Sequence, residues 1–128
     1  QLLLERITAV LRPWDLTFAR YETLRVLAFT RSGEMSMARL GSLLQVHPTS
    51  VTSAVTRLER QGSVERRRDS EDRRIVLASI TPQGRAVVES ATAGLNAEVF
   101  AGLGLTSDEV SGLSALLNRV RETEGDPV

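Results

Sequence analysis

The chain lacks cysteine and lysine and has only one histidine, one tryptophan, one tyrosine and three phenylalanines in 128 residues. Without cysteine there is no disulfide, no thiolate metal site and no cysteine redox switch, and the compartment stays open on that count. A lone histidine, His47, cannot build an imidazole metal cluster. No run reaches the length of a membrane-spanning helix, because the most apolar stretches are strand-length or interrupted by charge. No signal peptide, nucleophile elbow, glycine-rich phosphate loop or metal-spaced ligand cluster is visible. The first residue is Gln1 and not Met, so a trimmed start is expected and a lost leader stays open. All sixteen cations are arginine. Guanidinium forks suit phosphates and guanine edges, but a complete lack of lysine is better read as the mark of a GC-rich genome.

What is present is ordinary in amount and uneven in placement. The apolar share of 41% and charged share of 25% are those of a globular chain, and the length suits a single domain with a modest core. The net charge is zero, yet residues 1–38 carry +1, residues 39–85 carry +4 and residues 86–128 carry −5. A positive middle suggests that this part meets a polyanion, and the acidic end a separate task.

Apolar spacing predicts a helix over Leu2 to Leu11, with Leu3, Leu4, Ile7, Val10 and Leu11 inward, ended by Pro13. Thr17 can cap a second helix carrying Phe18, Tyr21, Leu24, Leu27 and Ala28 and stopping near Ser32-Gly33. Ser36 can cap a short third helix, Met37 to Leu44, with Leu40, Leu43 and Leu44 inward. The tight link Gln45-Val46-His47 leads to a fourth, Thr49 to Gln61, with His47 at the cap and Pro48 in the first turn. Its buried stripe is Val51, Ala54, Val55 and Leu58. Gly62 is a natural stop. A basic strand, Val64 to Arg68, and an apolar strand, Ile75 to Ile80, then flank an acidic-basic tip, Asp69 to Arg74. Thr81-Pro82 opens a fifth helix reaching about Phe100, and Thr106 to Glu109 is a capping-box pattern for a last one containing Val110, Leu113, Leu116, Leu117 and Val120. Glu122 to Val128 reads as a frayed end.

Helices three and four, tightly joined, read as a helix-turn-helix with Thr49–Gln61 as the recognition helix. Thr49, Ser50, Thr52, Ser53 and Thr56 can bond to phosphates or base edges, and Arg57 can reach a phosphate or a guanine. A solvated polar face on a surface helix is the plain alternative. At the hairpin tip, Asp72 and Arg74 lie two apart and on an extended segment would share a face, so the carboxylate can brace the guanidinium. An arginine held in this way suits a narrow minor groove. Arg66, Arg68 and Arg73 would add phosphate contacts. Charged tips often serve only solubility, and exposed ion pairs contribute little stability. Helix and tip in tandem are more specific than either alone.

Residues 16–84, and more loosely the whole chain, resemble the MarR (multiple antibiotic resistance regulator) family of winged helix-turn-helix repressors. The resemblance is carried by Leu16-Thr17, by Leu58-Glu59-Arg60-Gln61-Gly62 with Arg66, by Asp72-Arg73-Arg74, and by Ile80-Thr81-Pro82-Gln83-Gly84-Arg85. It implies a mainly α fold with a small β-hairpin wing. Residues 17–84 would form the DNA-binding part, and residues 1–16 and 85–123 a helical dimerisation part of one domain. A cytoplasmic, homodimeric repressor on a pseudo-palindromic operator is then expected, with Leu3, Leu4, Ile7, Leu113, Leu116, Leu117 and Val120 at the dimer interface. Packing of those residues within one chain is the alternative.

Members of the family often sense a ligand where the two parts meet. Thiol and zinc sensing lack their residues here, which leaves a small aromatic or phenolic acid, with Arg12, Trp14, Phe18 and Tyr21 as candidate contacts. Arg39 could line the same cleft or touch a phosphate. Phe18 and Tyr21 also sit at core spacing, and Trp14 could plug a corner. His47 reads as a cap or phosphate contact before a pH switch. No cofactor or metal is expected. A winged-helix protein-interaction module without specific DNA binding is the competing reading, which the wing arginines oppose.

Overall fold

The computed structural model describes residues 2–100. Its elements run α1 (Leu2–Leu11), a 3-10 turn (Arg12–Trp14), α2 (Phe18–Phe29), β1 (Glu34–Ser36), α3 (Met37–Leu44), α4 (Pro48–Arg60), β2 (Val64–Arg68), β3 (Val76–Ile80) and α5 (Pro82–Leu95). A π-helical turn, Asn96–Phe100, extends α5, so the expected reach of that helix is met with a change of winding. The last expected helix, with Leu113, Leu116, Leu117 and Val120, lies outside the described residues.

Side chains start the helices as their sequence positions suggest. The hydroxyl of Thr17 accepts the Arg20 amide at 3.2 Å, and that of Ser36 accepts the Arg39 amide at 3.1 Å. Nδ1 of His47 accepts from Thr49 N at 3.2 Å, and Thr81 accepts from Gly84 N at 3.0 Å. Each satisfies one of the amides that a first turn leaves without a partner. Pro13 does not simply end α1: the chain winds on through the 3-10 turn and reverses at Asp15, whose φ of 53° is left-handed. Gln45 (φ 57°) makes the corresponding bend between α3 and α4, and Gly62 (φ 80°) ends α4.

The core joins one face of each helix to one face of a three-stranded antiparallel sheet of order β1-β3-β2. Ala78 and Ile80 of β3 are buried, opposite Met35 of β1 and Val64 of β2, and the four meet Leu24, Leu27, Leu40, Val55 and Leu58 from the helices. β1 is an addition to the expected two-stranded hairpin. Three residues with one apolar side chain carry too little alternation to mark a strand; pairing with β3 makes it one. Of the α1 face, Ile7 and Leu11 are buried, whereas Leu4 is 48% and Leu2 78% exposed.

Backbone approach decides the join to α5. A Cβ built on Gly84 would lie 2.2 Å from the carbonyl oxygen of Ser63. Thr81 fastens the same corner, donating from its hydroxyl to the Gly62 carbonyl at 2.7 Å and from its amide to that of Ser63 at 3.0 Å.

Candidate nucleic-acid interface

The outward face of α4 follows from its inward one. Val51, Val55 and Leu58 are buried at helical spacing, which turns His47, Thr49, Ser50, Thr52 and Ser53 into solvent, with Thr56 half-buried at the margin. The hydroxyl of Thr52 donates to the Pro48 carbonyl at 3.1 Å and keeps its lone pairs free to accept. So the hydroxyls do form one exposed patch at the N-terminal half of the helix.

The wing begins where α4 ends. Arg66 of β2 reaches back to Glu59 of α4, donating from Nε at 3.1 Å and Nη2 at 2.8 Å. Both are partly shielded, so Arg66 acts as a strut between helix and wing more than as a free phosphate ligand. Arg68 spends Nη1 on the Arg73 carbonyl at 2.9 Å, which closes the tip from within. Arg73 itself is exposed, with no side-chain partner among the described residues.

Asp72 and Arg74 do pair, but not by strand alternation as expected. Residues 73 and 74 form a turn closed by Ile75 N–H on the Asp72 carbonyl at 3.0 Å. Asp72 Oδ1 accepts both Arg74 N–H at 3.1 Å and Nε–H at 3.0 Å, and Oδ2 accepts Nη2–H at 2.9 Å. An aspartate that bonds the amide two residues on is a local turn device, stronger at fixing geometry than two side chains on one strand face. These bonds hold the Asp72 carboxyl below its ordinary range and raise the Arg74 guanidinium above its own, so both stay charged at neutral pH. The Arg74 side chain remains 90% exposed.

Most of the chain is similar to solved transcriptional regulators. Sco5413 of Streptomyces coelicolor, a MarR family transcriptional regulator, is 44% identical, with 97% of this chain and 86% of that one covered at a TM-score of 0.73. The MarR family model matches residues 16–76. The chain belongs to the MarR family. A cysteine-to-serine mutant of Escherichia coli MarR, solved in complex with operator DNA, is 28% identical over 92% of this chain and 84% of its own, with a TM-score of 0.71. The curated regulator SarZ of Staphylococcus aureus is 27% identical over 109 residues, or 85% of this chain and 72% of its own. The chain is thus a transcriptional regulator of winged-helix fold, and its surface can be read in those terms.

In this MarR-family chain, one expected contact, Arg57, is engaged elsewhere. Arg57 donates through Nη2 to Asp15 at 2.5 Å, and Arg39 is half-buried on α3. Asp15, Glu34, Glu59 and Arg67 were absent from the expected site, since each acts through a partner distant in sequence. Arg67 donates to both carboxylate oxygens of Glu34, at 2.9 and 3.1 Å, and Ser79 donates to Oε2 at 2.7 Å.

The candidate effector residues divide in the same way. Tyr21 is buried, its hydroxyl 2.8 Å from Thr92 Oγ1, and Phe18 stacks on it at 6.1 Å between ring centres. Trp14 packs beside Gly94 of α5, and Arg12 is exposed. Two open clefts, about 380 and 440 Å³, lie instead along α3, one against the start of α4 and one against Arg74, Ile75 and Val76. None of the four residues lines either cleft. Among the described residues no three His, Asp or Glu side chains cluster as metal ligands, and no helix is long and apolar enough to cross a membrane.

Proposed function

We propose that the chain is a cytoplasmic, homodimeric DNA-binding repressor and not an enzyme. Residues 17–84 form the DNA-binding part, and residues 1–16 and 85–123 the dimerisation part. The N-terminal half of α4 enters the major groove with Thr49, Ser50, Thr52 and Ser53 toward the bases, while Arg74 enters the flanking minor groove. Arg73 and His47 add phosphate contacts. The observation that carries this reading is the Arg74 guanidinium, held by Asp72 and exposed at the end of a wing that Arg66 ties to α4. A guanidinium braced by one local carboxylate and otherwise exposed is placed to meet an anion outside the fold.

Dimerisation is supported by Leu2 and Leu4 of α1, apolar side chains left exposed on a helix whose Ile7 and Leu11 enter the core. Two copies of α4 would then read a pseudo-palindromic site with half-sites a helical turn apart. Release by a small aromatic or phenolic acid completes the proposal.

Selection of duplexes from a randomised pool by the purified protein tests it. A recovered inverted repeat is expected, with affinity falling steeply as salt rises because phosphate contacts release counterions. Failure to enrich any sequence, or a flat salt response, would favour a protein-interaction module.

A further inference from the structure

Asp15 stands between α1 and α2, and four hydrogen bonds from three directions converge on it. Arg57 and Gln61, one turn apart at the end of α4, both reach it: Arg57 Nη2 to Oδ2 at 2.5 Å, and Gln61 Nε2 to the carbonyl oxygen at 2.9 Å and to Oδ2 at 3.2 Å. Arg20 of α2 donates to the same carbonyl at 3.2 Å. The Asp15 amide is turned inward onto Arg12 O at 2.9 Å. Its left-handed backbone costs a glycine least. Glycine would serve the turn alone, but it would leave Arg57 and the second Gln61 bond without the acceptor that the Asp15 carboxylate supplies, with a charge that an asparagine lacks.

We infer that Asp15 is a positioning residue for DNA binding: it ties the C-terminal turn of the recognition helix to the joint with α1. Arg57 then belongs to the tether and is not a phosphate ligand. The hydroxyl patch lies at the other end of α4, since Thr49 is eight residues, or about 12 Å, from Arg57. A tilt of about 5° at the tether therefore moves the patch by roughly 1 Å, enough to spoil hydrogen bonds to base edges. Because α1 carries the exposed leucines that support dimerisation, the same tether sets the angle of each recognition helix relative to the other protomer. An exposed ion pair adds little to stability. Its role shows in binding.

The inference rests on the DNA-binding reading, and one experiment separates the two. Asp15→Asn and Asp15→Gly, both compatible with the left-handed turn, are compared with the unaltered chain on a duplex that the latter has selected. Each variant removes a negative charge, so long-range electrostatics alone would tighten binding. Loss of the tether predicts the opposite sign: affinity falls roughly three- to tenfold at fixed salt, with melting temperature nearly unchanged. Arg57→Gln should weaken binding by a similar factor and leave the slope of log K against log salt as it was. In the free protein, amide exchange over residues 57–61 should quicken in Asp15→Gly.

Equal or tighter binding by the Asp15 variants overturns the inference, as does unchanged exchange. A salt slope reduced by about one phosphate per protomer in Arg57→Gln also overturns it, because Arg57 would then be a DNA contact. An unaltered chain that selects no duplex overturns the DNA-binding reading itself.

Discussion

Asp72 accepts three hydrogen bonds from a single residue, Arg74, one from its backbone amide and two from its guanidinium. The pair is local, and the arginine side chain is almost wholly exposed, so it does little to hold the fold together. Its effect is to narrow the rotamers of a long side chain before any partner arrives. An arginine already fixed loses less freedom on entering a groove, and that difference appears as affinity.

Arg74→Ala should weaken binding to a selected duplex by roughly tenfold or more, the scale of a lost specific arginine contact. Asp72→Ala should weaken it less, because the guanidinium survives but is no longer braced. Arg74→Lys should fail to restore affinity, since an ammonium is a point charge that cannot accept the two-point grip of Asp72. Gel-shift titration at fixed salt reads all three, with melting curves expected to coincide within about 0.5 kcal/mol of stability. Wild-type affinity in Arg74→Ala would remove the wing from the mechanism.

A different carboxylate adds a pH dependence of the opposite sign. Burial raises the Glu22 carboxyl above its ordinary value of 4.5, with no opposing partner among the described residues, so the folded chain holds that proton more tightly than the unfolded one. Stability should therefore fall as pH rises from about the unfolded value through the folded one, and stay lowered at neutral pH. Asp72 has the reverse sign. Its lowered value means that its contribution is present at neutral pH and is lost only on acidification below the ordinary range of 3.8. Glu22→Gln should accordingly raise the melting temperature at pH 7 by up to a few degrees and lose that advantage at pH 4. Equal gains at both pH values would refute the burial argument.

Gly84→Ala should destabilise the chain by about 2 kcal/mol or more, because its Cβ would overlap the Ser63 carbonyl and neither backbone can move without pulling Thr81 from its bonds. Urea denaturation measures the loss. Gly84 is thus a packing requirement at the foot of the wing, distinct from the cap that Thr81 supplies.

Features set by neighbours in sequence were legible, and those set by distant partners were not. Thr17, Ser36 and His47 announced their helix starts because a cap bonds an amide two or three residues on. The buried stripe of Val51, Val55 and Leu58 was visible as a helical period. β1 was invisible, being strand only by virtue of β3. Within the site, the hydroxyl patch and Arg74 were readable, whereas Arg57 and Arg66 looked like free cations until Asp15 and Glu59 were brought beside them. Charge composition cannot show which guanidinium is already occupied. Even the Asp72–Arg74 pair was found for the wrong reason, since a turn and not a strand joins them.

Glu34 illustrates how such hidden partners can steer the wing. From the edge strand β1 it accepts Arg67 of β2 and Ser79 of β3, so one carboxylate spans all three strands on the face away from the core. Glu34→Ala would leave Arg67 free in solvent and the Ser79 hydroxyl without its acceptor, at a cost of about 1 kcal/mol in stability. With Arg67→Ala in a double-mutant cycle, the coupling should be about 0.5–1 kcal/mol by urea denaturation, which isolates the ion pair from the Ser79 bond. DNA affinity should fall further in Glu34→Ala than in Arg67→Ala, although the latter removes a cation, because the serine bond fixes β3 to the edge strand and through it the angle at which Arg74 is presented. The reverse order of affinities would make Arg67 a phosphate contact and Glu34 merely its counter-ion.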